Sequence, residues 1–251
     1  MNKLENLAQP AIFGHRGASG YAPENTMAAF ELAILQGADG IEIDVKLSSD
    51  DHVVIIHDPS VDRTTNGTGW VKNLTLKELK ALDAGSSFSS QFARESIPSL
   101  AELFEHLHDQ IYFNIELTNY TTRNDALPEK TAELVLQYHL QDNIIFSSFS
   151  KKTLTRIKAL LPQVPVAMLA SRGLLGIVNR SVIGRNVAPD ALHPHYTDVT
   201  PALMRHQKEI GRKVNVWTVN DESAMRRMID YGVNGIITND PKLAQHIRET
   251  G

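Results

Sequence analysis

At 251 residues the chain exceeds the commonest domain size, yet (β/α)8 barrels of this length form one unit, so length does not demand two domains. A net charge of −4 without a basic block argues against nucleic acid as a partner, and 42% apolar with 22% charged residues describes a chain that can bury a core. The lack of cysteine excludes disulfides, zinc thiolate centres, cysteine-ligated iron-sulfur clusters and thiol nucleophiles, and fits a reducing compartment.

In chain order, the N-terminal MNKLENLAQPAIFGHRG has no apolar signal-peptide core, and no later stretch approaches the roughly 18 apolar residues of a membrane span. The expectation is a soluble, cytoplasmic protein without stable membrane association. A first strand at 11–14 leads into His15, Arg16 and Gly17, followed by a helix over 26–36 that places Met27, Phe30, Ile34 and Leu35 on one face. The second strand, 40–45, carries Glu42 and Asp44. The segment 51–57, DHVVIIH, follows it through SSDD too closely for a parallel crossover, so it is expected to double back as a hairpin ending at His57. Residues 59–97, with RTTNGTGW and one short helix near 76–82, then form an insertion over the catalytic end.

Beyond the insertion, helices at 99–108, 128–139, 151–161, 174–183, 201–210, 222–230 and 241–248 alternate with strands at 111–117, 143–148, 164–169, 190–193, 213–219 and 235–238. Hairpin aside, this makes eight strands and eight helices in alternation, the pattern of an α/β TIM (β/α)8 barrel formed by 1–251 as a single unit.

Active sites of such barrels lie at the C-terminal ends of the strands, where His15 and Arg16 stand. A histidine there titrates near neutrality and an arginine grips phosphate with a planar fork; the alternative is an exposed basic turn. Glu42 and Asp44, two apart, share one side of their strand. Such a pair repels itself unless a cation or proton intervenes, unless both acids merely face solvent. Glu116, late in FNIEL with Asn114 on the same side, adds a third carboxylate from the neighbouring strand or is a rim acid paired with a lysine. An all-oxygen set favours one hard divalent cation, Mg²⁺ or Ca²⁺, with Mn²⁺ also compatible. The hairpin returns His57 beside this group, so two histidines could serve as acid and base on a phosphate ester, whereas a lone histidine before Asp-Pro is otherwise a turn residue. His193 and His195 are further candidates for lining the mouth.

Taken together, GHRGASGYAPENT, GIEIDVKLSSDDHVVIIHD, FNIEL, SSF, VNVWTVN and GIITNDP resemble the glycerophosphodiester phosphodiesterase family, of the bacterial cytoplasmic type, from residue 14 to residue 241. The resemblance implies a TIM barrel with a small insertion, and hydrolysis of deacylated phospholipid headgroup esters to glycerol 3-phosphate and an alcohol. It implies His15 and His57 as acid and base, Glu42, Asp44 and Glu116 as metal ligands, and Arg16 on the phosphate. Phe149 and Trp217 match positions that line the substrate cleft, with barrel filling as the alternative. Many members carry a lysine two residues after the third acid; Thr118 stands there, and Lys46, on the same strand face as Asp44, is a substitute or a solvated rim residue. The expected partner is a small glycerophosphodiester, with a homodimer left open. The competing readings are a lipid-directed phosphodiesterase, for which the insertion offers Trp70, Phe88 and Phe92, and a non-catalytic phosphate-ester binding module.

Overall fold

The computed structural model describes residues 2–173 and 188–250. Its strands are β1 (Ala11–His15), β2 (Gly40–Leu47), β3 (Val53–Ile55), β4 (Tyr112–Leu117), β5 (Ile144–Ser148), β6 (Val166–Ala170), β7 (Ala191–Pro194), β8 (Lys213–Val216) and β9 (Gly235–Thr238). All pair in parallel in the order β1-β9-β8-β7-β6-β5-β4-β2 except β3, which lies antiparallel on β2, and the β1–β2 pairing closes the ring. Closure of eight parallel strands makes this a TIM (β/α)8 barrel, as the alternation of patterns predicts.

Around it run α1 (Met27–Leu35), α2 (Leu76–Lys80), α3 (Leu100–Leu107), α4 (Leu127–Gln137), α5 (Lys151–Leu160), α6 (Pro201–Glu209), α7 (Glu222–Asp230) and α8 (Pro241–Thr250). Small oxygen-bearing side chains start many of them. Thr26, Ser150, Thr200 and Asp221 each accept from a backbone N–H of the first turn, and Ser99 forms a capping box with Glu102. The helix expected at 174–183 lies outside the described residues. Among the described residues, no helix is long and apolar enough to cross a membrane.

Strand periodicity places the chemistry. On β2, Ile41, Ile43 and Val45 point outward into the core beneath the helices, together with Phe30, Phe104 and Phe113. Gly40, Glu42 and Asp44 therefore face the barrel interior, where Gly40 leaves room for the Phe13 ring, 2.5 Å from where a Cβ would stand. An apolar layer of Ala11, Phe13, Tyr112, Ile145, Ala167, Ala191 and Ile237 fills the barrel below the polar residues. The N-terminal turn Lys3–Asn6 covers the far end, burying Leu4, while Tyr112 Oη donates to Asn2 Oδ1 at 2.7 Å.

The hairpin forms as expected, pairing Val45 with Ile55 and Leu47 with Val53. Residues 59–97 hold a small core of their own, in which Val61, Val71, Leu79, Ala84 and Ile97 pack on Val54 and Ile56. Most of the insertion thus lies against the hairpin, and its first loop reaches the barrel rim.

Candidate active site

Parallel register brings the three acids together. Asp44 stands opposite Glu116 across β2 and β4, and Glu42 is opposite His15 across β2 and β1. One carboxylate oxygen from each of Glu42, Asp44 and Glu116 lies within 4.8 Å of the others. Burial first, and then Asp44 and Glu116, raise Glu42 well above the ordinary carboxylate range; burial and then Asp44 raise Glu116 to about 8. The resistance of Glu42 and Glu116 to ionisation beside Asp44 is what a cation would relieve. Asn25, whose amide nitrogen donates to Asp44 Oδ2 at 2.9 Å, has its Oδ1 buried without a partner. The donor set is entirely oxygen and fits a hard divalent ion.

The turn after β1 is unusual. Arg16 has φ +57° and Gly17 φ +84°, both left-handed, and a Cβ at Gly17 would stand 2.6 Å from the Ala29 backbone. The turn lets Arg16 N–H donate to Glu42 Oε2 at 3.1 Å while its guanidinium reaches back over the acids. Arg16 Nη1 donates to Glu24 at 2.9 Å; Nε is 3.2 Å from Asp44 Oδ2 but too poorly aligned to hydrogen-bond. Nη2 has no hydrogen-bond partner among the described residues and is the donor left for a ligand.

Each histidine is held through Nδ1. His15 Nδ1 meets Asn239 Oδ1 at 2.7 Å, leaving Nε2 4.0 Å from Glu42 Oε2. Burial, and then the Arg16 charge, hold its pKa down to about 4, so the imidazole is neutral at neutral pH. His57 Nδ1 meets Asp58 Oδ1 at 2.6 Å, which leaves its Nε2 for proton exchange.

A cavity of about 110 Å³ is lined by His15, Arg16, Glu42, His57 and Glu116, with Tyr120, Phe149 and Trp217 as an aromatic wall. Phe149 packs edge-on against both other rings, with centroids 5.9 Å from Tyr120 and 5.7 Å from Trp217. A larger hollow of about 610 Å³, bordered by Arg205, Lys208 and Tyr231 at the opposite end of the barrel, brings together no comparable set of acids and imidazoles.

Three sequence candidates do not line the cavity, although His195 packs edge-on against Trp217 with ring centroids 5.5 Å apart. Lys46 is buried, and its ammonium donates to Thr118 O at 2.9 Å and to Thr118 Oγ1 at 2.7 Å. Burial lowers its pKa, and the nearby acids, Asp44 foremost, oppose that shift. His193 is fully buried and pairs with Asn215, while His195 stacks on Tyr196; neither borders the cavity.

Sequence reasoning quoted Glu24, Asp58 and Asn239 only as parts of motifs and gave no role to them or to Tyr120. Tyr120 Oη donates to Glu116 Oε1 at 2.7 Å and accepts from Phe149 N–H at 3.0 Å, tying the third acid to the aromatic wall. Barrel closure could have pointed to Asn239, because the loop after the last strand must lie beside the first.

With this geometry in place, the likeness to known proteins is specific. Residues 15–243 match the Glycerophosphoryl diester phosphodiesterase family. The chain is 41% identical over 242 residues to a glycerophosphodiester phosphodiesterase of Caldanaerobacter subterraneus, covering 96% of this chain and 98% of that one. It is 35% identical to a glycerophosphodiester phosphodiesterase of Bacillus altitudinis, covering 95% and 98%. Among solved structures, an Oleispira antarctica phosphodiesterase in complex with the product sn-glycerol-3-phosphate superposes with a TM-score of 0.88 at 32% identity, covering 96% of this chain and 97% of that one. The chain belongs to the glycerophosphoryl diester phosphodiesterase family.

Proposed function

We propose that this protein hydrolyses glycerophosphodiesters, the deacylated headgroup esters of phospholipids, to glycerol 3-phosphate and an alcohol. The observation that carries the reading is a cluster of three carboxylates, two buried and one half-buried, beside two histidines, each imidazole anchored through Nδ1, at one cavity. The names of the relatives and the product bound in the Oleispira antarctica phosphodiesterase support the substrate class.

A divalent cation held by Glu42, Asp44 and Glu116, Mg²⁺ or Ca²⁺ by donor chemistry, would supply positive charge for the non-bridging phosphate oxygens. Arg16 would hold the same phosphate through Nη2, a charge-assisted contact whose effect grows as charge builds in the transition state. One histidine removes the proton from the attacking oxygen and the other delivers one to the departing alkoxide. The attacking group is the glycerol 2-hydroxyl, by way of a cyclic phosphate that water opens, or water itself. In the direct route water forms a P–O bond as the bond to the alcohol breaks. In the cyclic route the 2-oxygen forms a P–O bond as the alcohol leaves, and water then breaks it. Either way the net change is one water consumed and one alcohol released. Phe149 and Trp217 give the carbon side of the glycerol an apolar wall. Lys46, held at Thr118, contributes its charge to the carboxylate cluster from behind, which leaves Arg16 as the protein cation beside the phosphate.

The test is release of glycerol 3-phosphate from glycerophosphocholine, glycerophosphoethanolamine and glycerophosphoglycerol, with and without chelator. Turnover should require a divalent ion, and His15→Ala and His57→Ala should each lose about 100-fold or more. Undiminished turnover in either variant would remove the acid/base pair. No turnover on any headgroup with Mg²⁺, Ca²⁺ or Mn²⁺ would leave a binding module.

A further inference from the structure

The RTTNGTGW loop has no part in the chemistry above, yet it delivers a guanidinium to the rim. The loop is stiffly built: Val61 N–H donates to Gly69 O at 3.0 Å, Gly69 N–H to Asp62 at 3.1 Å, and Thr65 Oγ1 to Val61 O at 2.8 Å, with Val61 fully buried. Arg63 projects from it and uses its whole fork. Nη1 and Nη2 each donate at 2.8 Å to the two oxygens of Glu24, and Nε donates at 2.6 Å to Asp58 Oδ2.

Both acids lead inward. Asp58 uses its other oxygen, Oδ1, to hold His57 Nδ1 at 2.6 Å. Glu24 Oε1, which takes Arg63 Nη2, also takes Arg16 Nη1 at 2.9 Å. One exposed arginine is thus a single contact removed from each of the two groups that face the phosphate from this side. An isolated surface ion pair would count for little, but a bidentate fork joined to a second carboxylate from a rigid loop is the geometry that does hold side chains in place.

We propose that Arg63 is a positioning residue, through which the insertion sets the imidazole of His57 by way of Asp58 and the guanidinium of Arg16 by way of Glu24. The proposal rests on the catalytic reading of His57 and Arg16 given above. Without Arg63, Asp58 can rotate off His57, whose two tautomers then compete, and Glu24 can turn to form a closed pair with Arg16. The first change lowers kcat and the second raises KM, because Arg16 is then less available to the phosphate.

Steady-state kinetics of Arg63→Met and Arg63→Lys, on whichever diester the wild type turns over, read both arms. Arg63→Met should lower kcat/KM by about 10- to 100-fold, shared between kcat and KM, with the melting temperature little changed because the side chain is half exposed. Lysine, which can satisfy only one of the two acids, should give an intermediate loss. In an Asp58→Ala background, Arg63→Met should produce no further fall in kcat, since the arm it acts through is already gone. Kinetic constants within twofold of wild type in Arg63→Met, or a full additional loss of kcat in the double variant, would overturn the proposal. A second reading needs no turnover: long-range ¹H–¹⁵N NMR of the His57 ring should show Nδ1 protonated in the wild type and mixed tautomers in Arg63→Met. An unchanged ring spectrum would defeat the His57 arm. If the wild type proves inactive on every diester, the proposed function falls, and the NMR result still decides whether Arg63 holds His57.

Discussion

Gly17 has no room for a methyl group. Its φ of +84° is one that L side chains rarely adopt, and a Cβ would press on the Ala29 backbone at 2.6 Å, where α1 cannot yield without moving Phe30 in the core. Gly17→Ala should therefore cost about 2 to 4 kcal/mol of stability, visible as a lowered denaturant midpoint. It should also weaken divalent-ion binding, since Arg16 N–H would leave Glu42. A midpoint within 0.5 kcal/mol of wild type, roughly the scatter of neutral surface changes, would show that the turn relaxes more easily than its geometry indicates. Residue identity alone pointed to His15, Arg16, Glu42, Asp44, Glu116 and His57, because strand alternation and strand-end position can be read locally. It did not reveal what Lys46 touches. Its pairing with Thr118 crosses from β2 to the end of β4, and only the register of those two strands brings the residues together.

The elements behave as local rules require, and their joins carry the new chemistry. Capped helices follow strands whose two faces are both buried, so the alternating pattern was legible, with shifts of one to three residues at the ends. The insertion was legible as a hairpin and an irregular stretch, but not as the source of Arg63, because nothing in RTTNGTGW says which carboxylates its side chain will meet. That junction has a pH consequence. Burial acts to raise Glu24, but the Arg63 hydrogen bond and the Arg16 charge outweigh it and bring the pKa to about 2; Asp58 is likewise held at about 2, chiefly by its hydrogen bond to Arg63. Both pKa values are depressed on folding. The stability they provide is complete above the unfolded carboxylate range near 4 and is lost as pH falls towards 2. The stability read from urea unfolding between pH 5 and pH 2 should therefore fall for the wild type by about 1 kcal/mol more than for Arg63→Met, the pairs being partly solvated. Parallel acid curves for the two proteins would mean that the pairs are too well solvated to matter.

At the scale of the whole molecule, the three acids form the least comfortable part of the fold. In the ion-free protein, burial and the neighbouring carboxylates oppose the ionisation of Glu42 and Glu116, so folding and cation binding are coupled. Saturating Mg²⁺, Ca²⁺ or Mn²⁺ at about 100 times its dissociation constant should add about 2.7 kcal/mol, a rise of roughly 5 to 10 °C in melting temperature for a chain of this size. Glu116→Gln should melt at or above the wild type without ions and lose most of the ion-dependent rise. A variant that kept the full rise would take Glu116 out of the ligand set.

The sequence by itself determined the barrel, the hairpin on its second strand, the family, and which strand ends carry acids, imidazoles and a guanidinium. These follow from periodicity and from short motifs in which the informative residues are neighbours. Tertiary structure alone decided how those groups are held. Asn239 lies 224 positions from the His15 it anchors, and Arg63 lies 39 from the Glu24 it grips. Such pairs exist because the ring closes β9 onto β1 and the hairpin folds the insertion back over the rim, and no local pattern encodes a contact made only by closure.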